Sequence, residues 1–316
     1  MMMRLRKLSI LMIALFLILT GCGQNNSSKK LIQIGMTQIV EHPSLDDIKQ
    51  GIVDALNENG YGEGEKINIE FKNAQGNMEN TQLIAKSFDK KDLVVAISTP
   101  SAQAAFNNLK SMPIIFSGVT DPESAGLVGK NITGVSDMTP VGKQLQLLKT
   151  LIPDAKRVGI VYNSSELNSE IQVNIAKKEA AKLGLELEIA SITNTNEMAL
   201  ALDKVLKNVD VLYTHVDNTL ASSYPLIVKK SEELNIPIIG AVDDFVKQGA
   251  LATEGINNYK VGYQTGHMIA NILKGEEISN IPFETLKDTE LIINKKAVEK
   301  YNIALPEEIK ERAIFR

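Results

Sequence analysis

The feature that most constrains this chain is an alternation of short apolar runs with amphipathic segments of helical period, and it occurs twice. In the first run, Leu31-Ile-Gln-Ile-Gly-Met predicts a strand. Ser44 to Asn59 predicts a helix with Leu45, Ile48, Ile52, Ala55 and Leu56 on one face and Asn59-Gly60 as its stop. Lys66–Phe71 (strand), Met78–Phe88 (helix), Leu93–Ile97 (buried strand), Ser101–Leu109 (helix) and Pro113–Phe116 (strand) follow. The second run reads Val141–Leu151 (helix), Arg157–Tyr162 (strand), Asn168–Leu183 (helix before Gly184) and Leu185–Ile189 (strand). It continues with Asn196–Leu206 (helix), Asp210–Tyr213 (strand), Ser222–Asn235 (helix) and a strand from Ile236. This order implies parallel sheets with helices on both faces, because a parallel strand is reached through a crossover helix. Two such runs make a two-lobed α/β protein. The remaining strand Ala250–Thr253, helix Gly262–Lys274, strand Glu290–Ile293 and terminal helix are one piece too many for a single lobe, so this part crosses between lobes.

Length and composition fit that reading. The chain has 316 residues, room for two domains, and 44% hydrophobic residues, enough for sizeable cores. With 34 Lys+Arg against 38 Asp+Glu, the net charge is −4, which weighs against a nucleic-acid partner. One Cys excludes a disulfide framework and a Cys-based zinc site. His42, His215 and His267 lie far apart in sequence, so no metal centre is expected. No cofactor is expected either. The chain lacks G-x-x-x-x-G-K-[ST], G-x-S-x-G and H-E-x-x-H, and Gly60-Tyr-Gly-Glu-Gly follows a helix without dinucleotide-loop spacing.

The first residues read as a targeting signal. Arg4, Arg6 and Lys7 precede an uncharged, apolar stretch from Leu8 to Leu19, shorter than the roughly 20 residues that span a bilayer. Leu19-Thr20-Gly21-Cys22 resembles a bacterial lipobox, which implies lipidation of Cys22 and removal of residues 1–21. Loss of those three cations takes the charge from −4 to −7. Residues 23–30 (GQNNSSKK) read as a flexible tether between lipid and body.

In open parallel sheets the ligand lies beyond the carboxyl ends of the strands. The loops there are rich in hydroxyls and isolated acids, and none contains Arg: outside the signal Arg occurs only at Arg157, Arg312 and Arg316. A carboxylate would be held by hydroxyls and helix N-terminal amides, with Ser98, Thr99, Ser101, Ser117 and Thr120 as candidates. An ammonium would be met by Glu41, Asp217 or Asp243, and the spacing leaves open which. Together these receptors describe an α-amino acid. Gln38, His42, Asn163, Ser165 and Asn218 occupy the same loops, and Leu45 and Val119 supply apolar wall. Glu41-His42 has no nucleophile motif beside it, so no enzyme is expected and His42 reads as a ligand contact. The absence of Trp and the placement of Arg weigh against a sugar; a nucleoside or sugar ligand on the same fold stays the alternative.

A lipoprotein signal, a tether and two matched lobes resemble the periplasmic binding protein type 1 fold. More narrowly, the chain is similar to the ABC-transporter substrate-binding lipoproteins that include the tryptophan/tyrosine-type binding proteins of Gram-positive bacteria. The likeness rests on Ile34–Asp46 (IGMTQIVEHPSLD), Ala96–Gln103 (AISTPSAQ), Phe116–Pro122 (FSGVTDP), Gly134–Asp137 (GVSD), Arg157–Glu166 (RVGIVYNSSE) and Ala241–Val246 (AVDDFV). It implies a ligand cleft between two lobes that close by hinge bending, an aromatic amino acid (tryptophan first) as ligand, and delivery to a permease served by an ATPase. It also implies a lipid-anchored monomer on the outer face of the cytoplasmic membrane. The expected lobes are 31–137 plus 254–280 and 138–253 plus 281–316. The expected connections are Ser136–Pro140, Thr253–Asn257 and Ile281–Glu284.

Overall fold

The computed structural model describes residues 30–316; the signal, Cys22 and the tether up to residue 29 lie outside the described residues. The first lobe runs β1 (Ile32–Gln38), α1 (Pro43–Glu58), β2 (Ile67–Asn73), α2 (Met78–Ser87), β3 (Leu93–Ile97), α3 (Thr99–Asn108), β4 (Ile114–Val119) and β5 (Ile132–Ser136). The second runs α4 (Val141–Leu151), β6 (Arg157–Asn163), α5 (Leu167–Lys182), β7 (Glu186–Ile192), α6 (Met198–Val205), β8 (Val211–Thr214), α7 (Asn218–Ser222), α8 (Tyr224–Glu233), β9 (Ile238–Gly240), α9 (Asp243–Gln248) and β10 (Ala252–Gly255). Helix α10 (Asn258–Leu273) and β11 (Glu284–Thr285) return to the first lobe. The chain then finishes in the second as β12 (Glu290–Ile293), α11 (Lys295–Lys300), α12 (Glu307–Arg312) and β13 (Ile314–Phe315).

The first sheet has the order β11-β5-β4-β3-β1-β2 and is parallel throughout. The second has the order β13-β12-β10-β9-β8-β6-β7, parallel except where β12 runs against β10. Each lobe is therefore a parallel sheet between helical layers. The sequence reading differs at two crossings, the first because Glu254 and Gly255 stay in the second sheet, paired with Leu291 and Glu290, rather than opening the return to the first lobe. Glu284–Thr285 pairs with Val135–Ser136 at the edge of the first sheet, so the last return falls after Thr285, not at residue 281.

Strand β3 shows why these sheets form. All five of its residues are buried, with Val94 and Ala96 in one core and Leu93, Val95 and Ile97 in the core on the other face. Such continuous apolar runs are what a strand covered on both faces requires. Helix α1 begins with Pro43, whose missing N–H costs nothing in the first turn, and buries Leu45, Ile48, Ile52, Ala55 and Leu56. It packs on α10 at glycine contacts: a Cβ on Gly262 would lie 1.9 Å from the Ile48 carbonyl oxygen, and one on Gly51 2.3 Å from that of Tyr259. In both sheets the order reverses between the first and third strands. The ends of β1 and β3 face those of β6 and β8 across the cleft.

Candidate ligand-binding site

A narrow cavity of about 20 Å³ lies between the lobes. The first lobe lines it with His42, Ser44, Leu45, Ile48, Ser98, Thr99, Gly118, Thr120 and Asp137, and the second with Asn168, Val216, Asp217, Asn218, Ala221, Val242 and Phe245; Asn258 opens α10 beside it. Phe245 is stacked on Tyr224 at 4.0 Å between centroids, which gives the second-lobe wall a rigid aromatic base. The lobes touch directly at this level. His42 Nε2 lies 3.3 Å from Asn218 Oδ1, and Ser44 Oγ donates to Asp244 Oδ2 at 2.8 Å.

The first-lobe end offers a helix N-terminus and hydroxyls. Helix α3 starts at Thr99, and its first-turn amides have no partners within the helix. The Thr99 hydroxyl is buried without a hydrogen-bond partner. Ser98, immediately before it, holds φ at 83°, a left-handed conformation that costs a non-glycine residue about 1–3 kcal/mol and that clusters at ligand sites.

Asp137 stands two strands away, after β5. It is 5% exposed, and its carboxylate takes one side-chain hydrogen bond, from Thr120 Oγ1 at 3.1 Å. Burial pushes its pKa up to about 6, with the Thr120 hydrogen bond opposing. Gly118 makes room beside it: φ is 66°, and a Cβ there would sit 2.7 Å from Ile48 Cδ1 and 3.6 Å from Asp137 Oδ2. A buried carboxylate with so few donors fits an incoming cation.

The second-lobe end is a closed polar network. Asp217 caps α7 by accepting from the Leu220 amide (2.9 Å), and also accepts from the Asn163 amide (2.7 Å) and the Ser169 hydroxyl (2.6 Å). His215 Nε2 lies 2.7 Å from Ser169 Oγ, and burial pushes its pKa down to about 4, so it is neutral. Glu166 accepts from the amide and side chain of both Asn218 (3.1 and 2.5 Å) and Thr219 (3.1 and 2.8 Å), and from the side chain of Asn168 (3.2 Å). Burial pushes the pKa of Glu166 up, and the nearby Asp217 carboxylate adds to this; burial likewise raises Asp217. Burial lowers that of His42.

The structure brings His42, Leu45, Ser98, Thr99, Thr120, Asp217 and Asn218 together at the cavity. Asp217 is nevertheless committed to its own lobe through three donors. Asp243 lies away from the cavity, in a groove with Lys247 and Arg316, both of which pair with it. Burial opposes, but the hydrogen bonds from Arg316 and Lys247 hold its carboxyl below the ordinary value. Glu41 is exposed outside the lining. Gln38, Ser101, Ser117 and Val119 are buried behind it: Gln38 donates to Val40 O, and the Ser117 hydroxyl is 2.8 Å from that of Thr265. Asn163 and Ser165 line an adjoining polar groove. Asp137, Asn168 and Val242 were not legible as lining residues. The signal that finds Asp137 is its place after β5, a strand hidden by its composition, Ile-Thr-Gly-Val-Ser.

An interlobe cavity at the carboxyl edges of two α/β sheets, with three chain crossings between the lobes, defines a two-lobed solute-binding protein of the periplasmic binding protein type 1 fold. Residues 33–315 match the model of the ABC transporter substrate binding protein family, and the chain belongs to that family. It is 45% identical over 296 residues to the tyrosine-binding protein of Clostridioides difficile (strain R20291), covering 88% of this chain and 86% of that protein. The crystal structure of an ABC domain in complex with L-Trp from Streptococcus pneumonia is 36% identical and superposes with a TM-score of 0.87, covering 90% of this chain and 99% of that one. The ligand-free, open structure of a substrate-binding protein with adhesive properties from Clostridium difficile is 44% identical at the same coverage, 90% and 99%, with a TM-score of 0.68. The contacts from His42 and Ser44 across the cleft agree with a closed arrangement. The family and these relatives are substrate-binding proteins, not enzymes.

Proposed function

We propose that this chain is an extracytoplasmic, lipid-anchored binding protein that holds an aromatic amino acid, tyrosine or tryptophan, and delivers it to the permease of an ABC importer driven by its ATPase. The observation that carries the ligand class is the pairing of an anion receptor and a cation receptor across one small cavity. The α3 amides with Thr99 take the carboxylate, and Asp137 takes the ammonium. Leu45, Ile48, Ala221, Val242 and Phe245 then offer apolar wall to a ring. The relatives named for tyrosine and bound to L-Trp support the same class. In this assignment Asp137 replaces Glu41, Asp217 and Asp243 as the ammonium partner, and Asp217 serves as a scaffold.

The anchor rests on Arg4, Arg6 and Lys7, the apolar stretch and Leu19-Thr20-Gly21-Cys22. Among the described residues no helix is long and apolar enough to cross a membrane. Cys22→Ser is expected to shift the protein from the membrane fraction to the soluble one.

Calorimetric titration of the purified protein with all amino acids, common sugars and nucleosides tests the ligand class. Saturable binding of L-tyrosine or L-tryptophan is expected. Binding confined to sugars or nucleosides overturns the reading.

A further inference from the structure

We propose that Glu166, through Asn218, fixes His42 as the Nε2–H tautomer, so that His42 Nδ1 is a hydrogen-bond acceptor reading a donor on the ligand's side chain, the phenol O–H or the indole N–H. This rests on the aromatic amino-acid reading and adds to it a residue that sets which ring is accepted.

The assignment follows from the hydrogen bonds in order. Every group that reaches Glu166 is a donor: backbone amides of Asn218 and Thr219, the Thr219 hydroxyl, and side-chain amides of Asn163, Asn168 and Asn218. A carboxylate that only accepts dictates how an asparagine beside it must turn. Asn218 therefore gives Nδ2 to Glu166 at 2.5 Å and turns Oδ1 toward His42. The reverse amide orientation would set a carbonyl oxygen against the carboxylate. An oxygen facing His42 Nε2 at 3.3 Å requires the proton on Nε2. The ring is neutral, since burial disfavours the imidazolium. Nδ1 is then a bare lone pair. It is buried without a partner, and His42 makes no capping bond to the helix that follows it.

Asn168 repeats the logic. Its Nδ2 is held by Glu166 at 3.2 Å, and its Oδ1 is buried without a partner on the cavity lining. Glu166 thus leaves an unpaired acceptor on each of two residues of the lining, and a buried acceptor left unpaired is costly. A ligand with no side-chain donor leaves Nδ1 in that state. The ammonium is a poor candidate to satisfy it. Asp137 follows β5 and His42 follows β1, and in the order β5-β4-β3-β1 these are three strand spacings apart, about 14 Å.

The test compares L-tyrosine, L-tryptophan and L-phenylalanine by calorimetry on the wild type, His42→Phe and Glu166→Gln. It is joined by ¹⁵N chemical shifts of the His42 ring in the ligand-loaded protein. The wild type is expected to bind L-tyrosine or L-tryptophan at least tenfold tighter than L-phenylalanine, with Nε2 protonated and Nδ1 bare. His42→Phe should collapse that ratio at least tenfold. Glu166→Gln keeps the imidazole but supplies a donor to Asn218; it should lose the fixed tautomer in the spectrum and the same ratio in the titration. Protonated Nδ1 in the loaded wild type, or equal losses for all three ligands in His42→Phe, overturns the inference and leaves the functional reading standing. A wild type that binds none of the three overturns the functional reading and this inference with it.

Discussion

Asp137→Asn should weaken the ligand and strengthen the ligand-free protein at the same time. The carboxylate is buried and, apart from its own backbone, receives one hydrogen bond, from Thr120. Its pKa of about 6 in the folded protein stands above the ordinary 3.8. A carboxyl raised by folding binds its proton more tightly in the native state, so stability falls as pH rises between those two values. At 1.36 kcal/mol per pH unit, ionised Asp137 costs the ligand-free protein about 3 kcal/mol at neutral pH. Asparagine keeps the shape and removes that cost. Chemical denaturation at pH 7 should therefore find the variant more stable by up to about 3 kcal/mol, with the gap closing as pH approaches 4. The ligand ammonium loses a charge-assisted bond worth about 1.5–3 kcal/mol, so affinity should drop roughly tenfold to a hundredfold. In the wild type, binding should weaken about tenfold from pH 7 to pH 5 as Asp137 takes up a proton, and the variant should lack this slope. Calorimetry at both pH values decides. Wild-type affinity in Asp137→Asn, or a flat wild-type profile, refutes the assignment of the ammonium to Asp137.

Other substitutions separate scaffold from site. Asp217→Ala leaves the Asn163 and Leu220 amides and the Ser169 hydroxyl without their acceptor. Thermal or chemical unfolding should show a loss of about 3 kcal/mol or more. Asp243→Ala removes an ion pair outside the cavity, so calorimetric affinity should stay within twofold of the wild type. Gly262→Ala drives a methyl into the Ile48 carbonyl at 1.9 Å. Denaturation should register the forced separation of α1 and α10 as a loss of about 1–3 kcal/mol.

Local pattern served well where one segment contains its own reason. The helix over Val141–Leu151 and the strands Leu93–Ile97 and Glu290–Ile293 match the structure at both ends, because their apolar runs are bounded by Pro, polar or turn residues. It failed where the reason lies elsewhere in the chain. Strand β5 has only two residues of strong apolar character, and its Gly134 is required by a neighbour: a Cβ there would meet the Phe116 carbonyl oxygen at 2.1 Å. The helix expected over Ser222–Asn235 is α8, Tyr224–Glu233, with Pro225 in its first turn, and the short α7 before it, Asn218–Ser222, lies in a segment read as a strand-end loop. The short α9 passed unread, since Asp243 and Asp244 looked like loop acids.

The site divides the same way. Sequence alone determined the two-lobed architecture, strand-end loops that line the interlobe cavity, and the hydroxyl-rich, Arg-free character of those loops. These follow from periodicity and from where parallel strands end. Tertiary structure decided which carboxylates are free and which are spent. Asp217, Asp243 and Asp137 all follow or close strand-end segments and look equivalent in the chain. Their partners come from residues 54, 73 and 17 positions away; those partners commit the first to its own lobe, make the second half of an ion pair with Arg316, and leave the third on the cavity lining with one side-chain donor. An acid's role depends on how many donors reach it and how much water it loses, and both are set by the lobes' packing.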